Sequence, residues 1–347
     1  MTRRIALRIA LTLLAALVAA LACRALRVPL PWMIGPLLVT AAASLRGAPT
    51  HSWNPLRDAA QWIIGTALGL YFTPEVTALV GRLWWAVLLS IAWTLVLGWV
   101  VGAWLNRSLA NDAQATPATG YFAGAIGGAS EMTLLAERHG GRTDLVAASH
   151  SLRLLIVTLG IPFAFALAGL HGADIALPGP RTVNPAGLAL LGVLTAVGAG
   201  LSSRLRIANP WFIGALLTSM ALTMSGRELS AMPTWASNTA QLLIGVSLGV
   251  RFRAEFVRTA PRWLAAVACG TVAMVVLSVG MAWLMARLTG LAMPTLVLGT
   301  APGGIAEMAI TAKVLQLGVP VVTAFQVCRV VAVLMLVGPA YKWLYRR

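Results

Sequence analysis

A chain of 347 residues in which 59% are hydrophobic and only 10% charged, with a mean hydropathy of +0.83, is no soluble globular domain; soluble chains carry about 25% charged residues. The composition reads as a multi-pass membrane protein. Its residual charge is lopsided, 26 Lys and Arg against 10 Asp and Glu for a net +16, and in so apolar a chain this marks cytoplasmic loops held against an anionic leaflet rather than direct nucleic-acid binding.

Cys23, Cys269 and Cys328 each stand alone in apolar runs, and read as three buried thiols. His51, His139, His150 and His171 lie in separate segments without metal spacing, and there is no phosphate loop, nucleotide fingerprint or Ser-His-Asp arrangement. No metal and no cofactor is expected.

Along the chain, Met1-Thr-Arg-Arg and the apolar run 5–23 mimic a signal peptide, but more membrane follows, so the run reads as an uncleaved first span. Uncharged gaps of membrane length then lie between Arg27 and Arg46, Asp58 and Glu75, Arg82 and Arg107, Asp112 and Glu131, Arg153 and Asp174, Arg181 and Arg204, Arg206 and Arg227, Glu228 and Arg251, Arg262 and Arg287, and Arg287 and Glu307. With a last stretch crossing Arg329, twelve apolar stretches result. The polar connections at 106–116 and 171–184 are loops.

The second half repeats the first at an offset of 179 to 180 residues that shortens to 176. Pro31-Trp-Met-Ile-Gly-Pro-Leu-Leu38 returns as Pro210-Trp-Phe-Ile-Gly-Ala-Leu-Leu217, Gln61, Gly65 and Gly69 as Gln241, Gly245 and Gly249, Gly127-Gly128-Ala-Ser130-Glu131-Met132 as Gly303-Gly304-Ile-Ala-Glu307-Met308, and Arg153 as Arg329. The expected repeats are 1–182 and 183–347. If all twelve stretches cross the membrane, the basic residues divide twelve to twelve. If the Gly-Gly-x-x-Glu-Met stretch of each half is broken or re-entrant, they divide seventeen inside to seven outside, and if the third stretch is, fourteen to ten. The positive-inside rule therefore selects inverted halves with both termini cytoplasmic, the loop holding Arg251, Arg253, Arg258 and Arg262 cytoplasmic, and Arg181 and Arg227 periplasmic. The expected fold is an all-α polytopic transmembrane bundle of two homologous inverted halves, each with a broken element.

Glu131, Glu307, Arg153 and Arg329 need partners within the membrane, and the simplest pairing is Glu131 with Arg153 and Glu307 with Arg329. They are either structural clamps or part of a substrate or proton site. Gly127, Gly128, Gly303 and Gly304 either unwind helices around a midplane cavity or permit close packing; Gly65, Gly69, Gly245 and Gly249 look like contact faces. Trp32 and Trp211 read as interfacial anchors. The candidate substrate site comprises Gly127, Gly128, Ser130, Glu131, Arg153, Gly303, Gly304, Glu307 and Arg329, for a small anionic or zwitterionic solute with proton coupling.

The duplicated Pro-Trp-x-Ile-Gly-x-Leu-Leu and Gly-Gly-x-x-Glu-Met blocks resemble the AbrB-type bacterial inner-membrane family, from about Val28 to Pro339. Members carry the labels ammonia monooxygenase and AbrB family transcriptional regulator. The resemblance implies a bacterial inner-membrane protein, whereas the chain lacks the clustered copper ligands that an ammonia monooxygenase needs. Any effect on gene expression would be indirect. The resulting readings are a secondary transporter or solute-sensing relative of one, then a membrane-embedded regulator acting through a protein partner, and last a membrane monooxygenase.

Overall fold

The structure is a computed structural model that describes residues 3–108, 116–170, 172, 182–252 and 260–345. His171, Arg181, Arg253, Arg258, Arg346 and Arg347 lie outside those residues. Fifteen helices and no strand are found among the described residues. Six of the helices are long and apolar enough to cross a bilayer: α1 (Arg3–Ala25), α5 (Trp84–Ser108), α8 (Thr143–Leu167), α9 (Pro185–Arg204), α12 (Pro261–Thr289) and α15 (Val319–Tyr345). Large apolar side chains such as Leu7, Leu14, Val18, Val197 and Met335 point outward from them. Water would not tolerate so much exposed apolar surface, whereas hydrocarbon does. The chain is a polytopic helical membrane protein. Cys269 and Cys328 also face outward, which corrects the expectation of buried thiols: a thiol is apolar enough to sit on such a face.

Not every apolar stretch makes a long helix. α2 (Pro31–Leu45) and α10 (Pro210–Met224) have 15 residues each, about 22 Å of helix where about 30 Å of hydrocarbon must be crossed. Proline at the first turn sets their start, since the residue before a proline is pushed out of the right-handed helical region. Leu30 (φ 48°) and Asn209 (φ 49°) take a left-handed conformation there, as do Arg27 and Arg206 (φ 54° each) three residues earlier. Equal backbone at an offset of 179 shows the two halves to be folded alike locally. α3 (Asn54–Gly69) is followed, after a sharp bend of 90°, by α4 (Pro74–Arg82), and α11 (Thr234–Gly249) closes the same part of the second half.

The chain forms two compact units, each drawn from both halves of the sequence. One holds residues 1–82, 169–251 and 309–320. In it the first half's α3 packs on the second half's α10, and α11 packs on α2. Glycines bring both seams to backbone contact: a Cβ on Gly65 would strike the Phe212 carbonyl oxygen, and one on Gly245 would lie 2.5 Å from the Met33 carbonyl oxygen. Ser219 Oγ donates to the Thr66 carbonyl across the first seam (2.9 Å), and Trp62 Nε1 donates to Thr195 Oγ1 on α9 (2.9 Å). Trp32 packs against the apolar cluster of Ala16, Ala20, Leu242 and Val246. The Gly-x-x-x-Gly stripes are contact faces, and each half supplies the partner of the other.

The second unit holds residues 83–168, 252–308 and 321–347. Its core is built by α5, α8, α12 and α15 with one pair of short helices, and a second such pair lies between α12 and α15 in the chain.

Candidate functional site

Those short pairs are the broken elements. α6 (Pro117–Gly124) stops, residues 125–128 are non-helical, and α7 (Ala129–Arg138) begins; likewise α13 (Met293–Thr300) stops before α14 (Ile305–Val314). All nine predicted site residues lie in the second unit, on these breaks or on α8 and α15.

The Gly-Gly-x-x-Glu-Met motif packs on itself. A Cβ on Gly127 would meet Met132 Cε at 2.9 Å, and one on Gly303 would meet Met308 Cγ at 2.8 Å, so the first glycine of each motif makes room for its methionine. A Cβ on Gly128 or Gly304 would collide with the carboxylate of Glu131 or Glu307, so the second glycine makes room for the acid. Met132 and Met308 donate their backbone N–H to the Gly128 and Gly304 carbonyls, starting α7 and α14. Each acid is therefore the third residue of a helix, folded back over its N-terminus, where a carboxylate balances the positive end of the helix dipole. Glu307 is 8% exposed, Glu131 is half-buried and Ser130 is exposed.

The arginines do not pair with these acids. Arg153, 4% exposed, donates through Nη1 to the carbonyls of Ala123 and Gly124 (3.2 Å each) and through Nη2 to the Ala125 carbonyl (2.8 Å) and His150 Nδ1 (2.6 Å). His150 Nε2 donates to the Phe122 carbonyl at 2.9 Å. A helix leaves its last four carbonyls without partners. With the Tyr121 carbonyl taken by the Ala125 N–H, Arg153 and His150 together satisfy the next four. At the second break Arg329, 1% exposed, donates to the carbonyls of Ala301 (2.6 Å) and Gly303 (2.7 Å), and Gln326 Nε2 donates to the Leu298 carbonyl at 2.6 Å. Each charge thus answers a helix end, base at the C-terminus and acid at the N-terminus, which corrects the expected Glu131–Arg153 and Glu307–Arg329 pairs.

His150 and Gln326, each three residues before its arginine, are parts of the clamp that the sequence reading missed. Their common offset of 176 was the available signal. Beside the first break a cavity of about 190 Å³ is lined by Ala125, Ile126, Thr94, Trp99, Tyr121 and Val333, among others. Among the described residues no cluster of three His, Cys, Asp or Glu could hold a metal ion.

The family model described as "Transition state regulatory protein AbrB" matches residues 32–345, which span both breaks and both clamps. The chain belongs to the AbrB family. It is similar to the "Uncharacterized protein YhjN" of Bacillus subtilis (strain 168), 28% identical over 338 residues covering 90% of this chain and 87% of the relative. It is also similar to the "Putative regulator AbrB" of Escherichia coli (strain K12), 27% identical over 323 residues, 91% of this chain and 90% of the relative. No solved structure matches this AbrB-family chain.

Proposed function

We propose that this AbrB-family chain is a secondary transporter, or a solute sensor built like one, in the bacterial inner membrane, made of two inverted repeats (1–182 and 183–347). The observation that carries the reading is the pair of broken helices in one compact unit, each with its backbone ends balanced by a buried base and a folded-back acid. Interrupted helices at corresponding positions of two repeats are how membrane transporters build a solute site without exposing backbone to lipid. Two polar atoms at the second break support the solute class. Arg329 Nε and Gln326 Oε1 are buried without hydrogen-bond partners among the described residues, and both side chains converge on the Ala301 carbonyl. A spare donor and a spare acceptor on two side chains that share one carbonyl suit the carboxylate and ammonium of a small zwitterion, or a small carboxylate.

Purified protein in vesicles should accumulate a labelled small carboxylate or amino acid when a pH gradient is imposed, and should not without the gradient. Absence of flux, together with no thermal shift across a broad metabolite panel, sinks the transport reading. The regulatory names of the family and of the Escherichia coli relative then point to a membrane regulator working through a protein partner; under the transport reading such an effect on gene expression is indirect.

The same reading places both termini in the cytoplasm and puts Arg142 and Lys313 on opposite sides of the membrane. Single-cysteine labelling at these two positions in intact cells is expected to report opposite sides. Labelling of both from the periplasm would mean twelve full spans and no inversion.

A further inference from the structure

The two clamps differ at the residue three places before the arginine. Gln326 cannot titrate, and His150 stands at its place in the first break. His150 is 2% exposed. A carbonyl only accepts and a guanidinium only donates, so the contacts to Phe122 and Arg153 fix a neutral imidazole with its hydrogen on Nε2 and its lone pair on Nδ1. A second proton can go only to Nδ1, the atom facing Arg153 Nη2 at 2.6 Å. Two N–H groups and two positive charges would then meet across one hydrogen-bond length.

The surroundings offer no relief. Arg153 is the charge in contact with the ring, and α15 adds a second buried guanidinium, Arg329, held on the Ala301 and Gly303 carbonyls. From α6 come the Phe122 carbonyl and Tyr121, whose hydroxyl donates to the Val337 carbonyl. On α7, Glu131 is folded over Gly128, His139 Nδ1 is bonded to the Leu135 carbonyl, and Glu137 and Arg138 belong to the last turn. On α8, Asp144 is held by Arg142 at 2.8 Å. α12 carries Arg262 and Arg287 near its two ends and presents Trp263, whose Nε1 donates to Ser149 Oγ. None of these carboxylates is among the ring's partners.

We infer that His150 is a proton-binding site: a proton taken up at Nδ1 expels Arg153 from the end of α6 and opens the first break, while the Gln326 clamp keeps the second closed. Departure of Arg153 frees the carbonyls of Ala123, Gly124 and Ala125 and removes the positive charge that balances the helix end. The inference rests on the transport reading only in making this proton the coupling ion, in place of the acids Glu131 and Glu307. The clamp holds at high pH and opens as pH falls.

Thiol labelling tests it in the full chain with Cys23, Cys269 and Cys328 replaced by alanine, each rate normalised to denatured protein at the same pH. Ala125→Cys, beside the cavity, is the reporter for the first break, and Ala301→Cys for the second. From about pH 8 to about pH 5 the labelling of Ala125→Cys should rise about tenfold or more, and that of Ala301→Cys should stay flat. His150→Gln should abolish the rise. Gln326→His should confer one on Ala301→Cys, which keeps the test decisive if His150→Gln does not fold. A flat profile for Ala125→Cys, a rise that survives His150→Gln, or no acquired response with Gln326→His overturns the inference. Labelling requires no solute: the expected profile without flux in vesicles defeats the transport reading alone, and gradient-driven flux with flat labelling defeats the proton site alone.

Discussion

Arg153→Ala should destabilise the protein by about 3 kcal/mol or more, because it strips three carbonyls and the His150 lone pair of their donor in a place water does not reach. Arg329→Ala removes the donor to the Gly303 carbonyl and one of the two donors to the Ala301 carbonyl and should cost about 1–3 kcal/mol on the same reckoning. Arg153→Lys should recover only part of the loss, since one ammonium cannot take the place of a planar fork that reaches three carbonyls. Unfolding of the purified protein in detergent, by heat or denaturant, measures all three. The double variant Glu131→Ala with Arg153→Ala separates two arrangements. If acid and base paired, removing Glu131 alone would strand a buried charge and the double variant would be milder than the sum. They answer different helix ends, so the two effects should add within about 0.5 kcal/mol. A coupling of several times that size would show that Arg153 leaves the α6 carbonyls for the acid.

Much of this was legible in the sequence, and what was not has a physical reason. The Gly-Gly-x-x-Glu-Met blocks showed where two helices break, because paired glycines next to an acid in an apolar run favour unwound backbone over continuous helix. They did not show what the arginines hold. A backbone carbonyl has no letter of its own, so a guanidinium that caps a helix end looks in the sequence like one awaiting a carboxylate. Arg153 and Arg329 were therefore found, and their partners at Ala125, Ala301 and Gly303 were not. His150 was passed over because a repeat search rewards identity, and its counterpart is Gln326; the two share only the capacity to donate to a carbonyl. Helix lengths were misjudged for a similar reason. The gap from Arg27 to Arg46 suggests a span, yet Pro31 starts the helix late and Leu30 is turned left-handed to let it. The stripes of Gly65 with Gly69 and Gly245 with Gly249 announced close approach but could not name the approaching helix. That the partner comes from the other half follows from tertiary packing alone.

Gly65→Ala and Gly245→Ala should each destabilise by about 1–3 kcal/mol, the cost of forcing a methyl group into a filled seam. At Gly65 the new Cβ would press on the Phe212 carbonyl oxygen and lie 3.3 Å from Ala215 Cβ; at Gly245 it would lie 2.5 Å from the Met33 carbonyl oxygen and 3.1 Å from Pro36 Cβ. The obstructing atoms are mostly backbone of α10 and α2, which cannot rotate aside as a side-chain tip can, so relief requires the helices to part. Gly280, inside α12, has open space where a Cβ would go. Gly280→Ala should accordingly be neutral or stabilising by up to about 1 kcal/mol, the helix-propensity gain of alanine over glycine. The three variants measured side by side in one detergent remove propensity from the comparison, because all three positions are helical. Parting of α3 from α10 should also break the Ser219 to Thr66 bond, so faster amide exchange is expected along both helices in Gly65→Ala. If Gly65→Ala and Gly245→Ala proved as stable as Gly280→Ala, the seams could not be as close as backbone contact, and the exchange of partners between the two halves would lose its main support.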